Sequence, residues 1–169
     1  MQLDQLVNAN VYLNGANLLG KAKSIDLGEV GIETTDDARL GVYSKITTPV
    51  GLTPPEVTIT FTTFDAAVMA ACDPRKSVTL QVRANQERYS QGGLVEEVPV
   101  VVMLTVMPTS IPLGSFAAQE PVEREQSFVA HYVKVTVGGT EHLEFDAFNN
   151  IWRRMGEDVF ANFRTNIGG

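Results

Sequence analysis

In the stretch Glu56 to Thr63, polar and apolar residues alternate without a break as far as Thr62. Val57, Ile59 and Phe61 fall on one side; Glu56, Thr58, Thr60 and Thr62 fall on the other. A period of two with many β-branched residues predicts a half-buried strand. Further strands are expected at Asn10–Leu13, Ser77–Val82, Val98–Met107 and Glu123–Val137. The Val98–Met107 run is almost wholly apolar, which predicts a central strand covered on both faces. Asn14-Gly15 marks a hairpin, because both residues tolerate positive φ, with Leu18–Leu27 as the return strand. Asp65 is placed to cap a short helix, Ala66–Cys72, that the Asp73-Pro74 step ends. A closing helix is expected over 156–168. Glu157 and Asp158 suit its positive end, and Val159, Phe160, Phe163 and Ile167 share a face that should dock on the sheet.

Three segments read as connections. Residues 34–55 are polar and punctuated by Gly41, Pro49, Gly51, Pro54 and Pro55, which predicts a long excursion or extended hairpin. Asn85–Glu97 reads as a polar loop around Gly92-Gly93, and Pro108–Pro121 as a weakly structured link. Near the C-terminus, a three-residue bulged turn at Val137-Gly138-Gly139 keeps the apolar faces of both strands together, setting Val133 opposite Leu143. No internal repeat interrupts this order.

The length of 169 residues suits a single domain over 1–169 with its own core. Thirteen basic against 20 acidic side chains leave a net charge of −7, which opposes tight binding of nucleic acid through its phosphates. One cysteine, Cys72, excludes an internal disulfide and fits a reducing compartment. No apolar run is long enough for a helical membrane span or anchor, and Met1-Gln2-Leu3-Asp4-Gln5 lacks the pattern of a signal peptide, so folding is expected in the cytoplasm.

Candidate chemistry is sparse. His131 and His142 lack companions at metal-ligand spacing and read as surface or interface histidines. Glu141, Glu144 and Asp146 are close in sequence, but that nearness is the sole support for acid–base work, and charges along a solvated strand are far the commoner reason for such a group. No nucleophile elbow or phosphate loop is present. Trp152 beside Arg153-Arg154 has the makings of a base-stacking site, but such a trio is more often an aromatic anchor with two flanking surface arginines. No catalytic, metal or cofactor site is therefore expected. The Glu56–Thr62 polar face fits a solvent-facing sheet surface, an edge, or the wall of a channel.

The stretch His131-Tyr132-Val133-Lys134-Val135-Thr136-Val137-Gly138-Gly139, then Glu144-Phe145-Asp146-Ala147-Phe148-Asn149, then Gly156 to Gly169, resembles the C-terminus of major tail tube proteins of contractile-tailed phages. It is also similar to the tube proteins of R-type pyocins. Tyr132, Lys134, Val137, Gly139, Glu144, Asp146 and Asn149 match the family pattern, as do Arg164, Asn166 and Gly168 near the end. Asn8-Ala9-Asn10-Val11-Tyr12-Leu13-Asn14-Gly15 matches its opening.

The resemblance implies a mainly β, antiparallel sandwich or barrel-like tail-tube fold with a long hairpin arm, a short internal helix and a short C-terminal helix. It implies hexameric rings stacked into a hollow tube that penetrates the host envelope and conducts viral DNA. The alternatives are the tube of a phage-tail-like injection or secretion machine and, from another class, a monomeric β-sandwich binding module. Expected partners are other copies of the chain, the tail sheath, baseplate or tube initiator, and tail terminator proteins. The tape measure protein and viral DNA would occupy the lumen without specific binding. The expected place is the virion tail, assembled in the host cytoplasm. Glu56, Thr58, Thr60 and Thr62 are the candidate channel lining, and Asp36, Asp37, Arg39, Leu40 and Tyr43 the candidate inter-subunit contacts on the 34–55 arm.

Overall fold

A computed structural model describes residues 1–169. In chain order the elements are β1 (Leu3–Leu13), β2 (Ala16–Asn17), β3 (Ala22–Asp26), β4 (Gly31–Asp37), β5 (Ile46–Thr53), β6 (Glu56–Phe61), α1 (Ala66–Ala70), β7 (Val78–Ser90), β8 (Gly93–Pro108), β9 (Arg124–Val137), β10 (Thr140–Asp146), β11 (Ile151–Arg154), β12 (Glu157–Asp158) and α2 (Ala161–Asn166). Ten strands form one antiparallel sheet along the path β12-β11-β10-β9-β8-β7-β1-β2, with β6 paired to the first half of β9 and β3 to β6. The β4–β5 hairpin is a separate two-stranded sheet.

Register explains the core. Trp152, Phe145, Val133, Leu104, Leu80 and Leu13 are Cα partners in succession across six strands. They lie on the side that Val57, Ile59, Phe61 and Phe128 close, and 18 buried residues form one hydrophobic cluster there. Phe145 and Trp152 meet edge to face at 6.2 Å. The next row on the opposite side reads Asp158, Arg153, Glu144, Lys134, Met103, Gln81 and Tyr12, again as successive partners. Pleating thus separates an apolar ladder from a mostly polar one.

Several expectations hold locally. Asn14-Gly15 forms the two-residue turn with positive φ at both residues, joining Leu13 to Ala16. Asp65 caps α1, its carboxylate accepting from the Ala67 N–H at 2.9 Å. Residues 34–55 do form most of an extended hairpin, which begins at Gly31.

Others are corrected. The return strand after Asn14-Gly15 is only β2; the chain then turns at Leu18–Lys21 and crosses as β3 to pair with β6. Asn85–Glu97 is no loop. It continues β7 and β8 as a hairpin turning between Ser90 and Gly93, because Arg88 bonds both Asp4 and Glu96 at 2.8 Å and Asn85 bonds Glu97 at 3.0 Å. β8 is central, but only one face is covered, and Met103 on the other is 42% exposed. The closing hairpin uses a plain two-residue Gly138-Gly139 turn, pairing Val137 with Thr140 and Val133 with Phe145. Agreement of the apolar faces is restored two residues later, by a bulge at His142, so that Val135 meets Leu143.

The helix expected over 156–168 is shorter. Met155-Gly156 take left-handed conformations and fold the chain back on β11, so Glu157 and Asp158 become β12 and only Ala161–Asn166 is helical. Its expected apolar docking face is also absent: Val159, Phe163 and Ile167 are 53%, 50% and 60% exposed. The segment is held by Arg164, which donates to Asp158 at 2.5 Å and to the Asn150 carbonyl at 2.9 Å.

Leu104, 1% exposed, stands in the middle of the apolar ladder. Leu104→Ala is expected to lower unfolding stability by about 2–5 kcal/mol in urea titrations, through the cavity it leaves.

Candidate assembly surfaces

On β6 the pleat delivers the expected division. Val57, Ile59 and Phe61 are buried, while Glu56, Thr58 and Thr60 face away from the core. Beside them on β9 lie Val129, Ser127 and Glu125, their Cα partners. Thr62 lies one residue past the end of β6, exposed in a bend, so it extends the row without sharing the strand. The Glu56–Thr60 and Glu125–Val129 segments hold two carboxylates and no basic side chain.

Farther along the same solvent side, side chains of the family pattern bind one another. Glu144 accepts from the Tyr132 hydroxyl at 3.1 Å and from Arg153 at 2.7 Å, linking three strands. Burial and then the bond to Glu144 push the Tyr132 hydroxyl from its ordinary 10 up to about 12. Lys134 pairs with Glu141 at 3.3 Å. Asp146 accepts from the Phe148 and Asn149 N–H groups and from the Asn149 amide, which folds the turn into β11. Arg164 holds the Asp158 carboxyl below the usual carboxylate range. The acidic cluster Glu141, Glu144, Asp146 is thus spent on structural pairs. Of the expected Trp152–Arg153–Arg154 group, Trp152 packs on Phe145 and Arg153 is paired. His131 stacks on Phe148 at 5.2 Å in an open groove of about 490 Å³ that includes Thr105, Met107 and Tyr132. No group of three or more His, Cys, Asp or Glu side chains is arranged to hold a metal ion.

The β4–β5 hairpin carries the five arm residues. Asp36 accepts from the Thr47 hydroxyl at 2.7 Å, and Asp37 from Arg39 at 2.7 Å, so these three residues brace the arm itself. Leu40 and Tyr43, at its tip, are fully exposed at 105% and 106%. Ile32, Val50 and Ile46 add further exposed apolar surface along the hairpin. Gly28, near its root, is required: a Cβ there would sit 2.2 Å from the Glu56 carbonyl oxygen, and its φ is +63°.

Sequence reasoning missed one organising pair. Arg124 is 1% exposed and has no carboxylate partner. Its guanidinium lies 4.1 Å from the Phe64 ring centroid and donates to the carbonyls of Pro112 at 3.0 Å and Thr63 at 3.4 Å. Buried Gln126 donates to the Ser110 carbonyl, and its amide oxygen lies 3.2 Å from the Cys72 sulfur. Together they strap residues 109–123 over the end of the sheet. Period two along β9 places both on the buried side, but nothing local indicates that their partners are carbonyls of a distant loop.

Comparison with known proteins gives this arrangement a context. The profile of the family described as "Phage tail tube protein FII" matches residues 4–168. The chain belongs to this tail tube family. Over 164 residues it is 26% identical to the tail tube protein of Escherichia phage P2, covering 94% of both chains. Its fold resembles that of a chain in the sheath-tube complex of an extracellular contractile injection system, with a TM-score of 0.55, 14% identity, and 76% and 88% of the two chains covered. It also resembles a chain of the anti-feeding prophage cap, with a TM-score of 0.54, 17% identity, and 76% and 87% of the two chains covered. As a tail tube protein the chain is a structural subunit of a contractile system rather than an enzyme, and its mainly β fold is that of tube proteins. From Tyr132 to Arg164, side-chain and ladder bonds tie four strands and the last helix together.

Tyr132→Phe is expected to lower stability by about 1 kcal/mol near neutral pH through the lost bond to Glu144. A pKa raised on folding contributes stability that is complete below pH 10 and is lost as pH rises through about 12, so the gap between variant and parent should close over that range in thermal melts. Arg124→Ala leaves the Pro112 and Thr63 carbonyls unpaired, and limited proteolysis should cut 109–123 faster while β9 stays protected.

Proposed function

We propose that the chain forms hexameric rings, stacked into the hollow inner tube of a contractile phage tail, which passes through the host envelope and conducts viral DNA. Beyond family membership, the observation that supports this reading is the exposed surface. The accessible area is 11053 Å², whereas a compact monomer of 18.4 kDa has about 8,200 Å². The excess of about 2,900 Å² exceeds the roughly 800 Å² per partner of one ordinary interface. Only 24 of 169 residues are buried, and the exposed set includes Leu3, Leu6, Leu40, Tyr43, Leu94, Phe116 and Phe148. A subunit of this kind completes its hydrophobic contacts with its own copies.

In this reading Glu56, Thr58, Thr60 and Thr62 line the channel. Six copies of a −7 chain carry −42, and a wall without bases repels phosphates, so DNA slides rather than sticks. The arm residues Asp36, Asp37, Arg39, Leu40 and Tyr43 reach a neighbouring subunit; the first three stiffen the hairpin and the last two make the contact. A sheath surrounds the tube, a pairing supported by the sheath-tube complex of the contractile injection system whose chain has a similar fold. The initiator, terminator and tape measure proteins act at its ends and within its lumen. The tube is assembled in the host cytoplasm and works in the virion tail.

The purified chain should polymerise into hollow tubes in negative-stain images, and deletion of Asp36 to Thr48 should abolish them while circular dichroism keeps its β signature. A chain that remains monomeric at every concentration would refute the reading. Threonines mapped to the outer surface of such tubes would remove the lining assignment alone.

A further inference from the structure

Three hairpin turns in this chain have two central residues, both left-handed: Asn14-Gly15 (φ 47° and 80°), Gly138-Gly139 (56° and 81°) and Met155-Gly156 (51° and 83°). The first two use the residues this geometry favours. The third places a long apolar side chain where asparagine or glycine is cheaper. Met155 is 65% exposed, and the one backbone bond it donates, to the His142 carbonyl at 2.9 Å, needs no particular side chain.

The opposite end of the same strands carries a matching feature. The 490 Å³ groove lies beside Asp146, at the far end of β10, whereas Met155 bonds near the start of that strand. His142 to Asp146 spans on the order of 13 Å. Met107, His131, Tyr132 and Phe148 form the apolar and aromatic part of the groove, with Phe148 78% exposed, and Ser77, Thr105, Asp146 and Asn149 complete its lining. A thioether beside aromatic edges is a favourable contact, and the unbranched methionine side chain adapts to an open groove. A knob at one end and an aromatic seat at the other form a heterologous pair, which builds an open stack when copies are related along the strands.

We infer that Met155 of one subunit seats in the Met107–His131–Tyr132–Phe148 groove of a second copy of this chain in the next ring. The partner is a second copy because the groove and the knob lie at opposite ends of one sheet, and because the subunit exposes more surface than one ring neighbour covers. The inference rests on the tube reading above and specifies its stacking contact.

The test uses the full-length chain. Met155→Asn should melt a few degrees higher than the parent, because the turn gains its preferred residue, yet raise the concentration needed for tube formation at least tenfold. Phe148→Ala should raise that concentration similarly, with the β signature retained. A Met155→Cys, Asn149→Cys variant should yield a ladder of disulfide-linked copies when assembled tubes are oxidised, whereas either single variant should not. Tubes of Met155→Asn forming at the parental concentration, or a double-cysteine variant without the ladder, would overturn the contact while leaving the tube reading intact. Absence of tubes from the parental chain would sink both.

Discussion

One row of apolar side chains crossing six strands sets the geometry on which everything else in this protein depends. Trp152, Phe145, Val133, Leu104, Leu80 and Leu13 stand opposite one another, and a shift of any strand by one residue would put its member into water. Because the pleat alternates, fixing this row also fixes the polar row on the other side, from Asp158 to Tyr12. The outward chemistry of the sheet is thus a consequence of its inward packing.

The devices that keep the row intact are local irregularities. β1, β9 and β10 each carry one extra residue, at Asn8, His131 and His142, where the register shifts before the row is reached. Asn8 takes a positive φ of 55° there. His142 compensates for a turn whose two glycines would otherwise bring valines against polar partners. His131 frees a carbonyl that the Ala147 N–H uses, which starts the Asp146–Asn149 turn. Near these positions Tyr132, Glu144 and Arg153 bind the strands from the solvent side.

The subunit is incomplete as an isolated body. Its arm, the extended part of the β1–β7–β8 sheet and its C-terminal helix all present apolar side chains to water, and the last helix is held by Arg164 rather than by its hydrophobic face. Exposed strand edges and apolar tips are hazards in a monomer. In the tube proposed above, neighbouring copies would cover these edges and tips and supply the burial that the small core lacks.

Local chemistry made part of this legible in the sequence. The alternation in β6, the Asn14-Gly15 turn, the Asp65 cap and the mainly β class each depend on residues within one turn or strand. The terminal motif pointed to the family for the same reason, since its contacts span short hairpins. Tertiary structure alone decided the rest. Asn85–Glu97 is a hairpin rather than a loop because β1, some 80 residues away, pairs with the second half of β7 and extends the ladder. β3 leaves its hairpin for β6, and Arg124 and Gln126 find carbonyls of a distant strap. The closing helix shortened because a left-handed Met155 turned the chain back onto β11. Periodicity reports which face a residue occupies; which element covers that face is set by long-range pairing, and no local pattern encodes it.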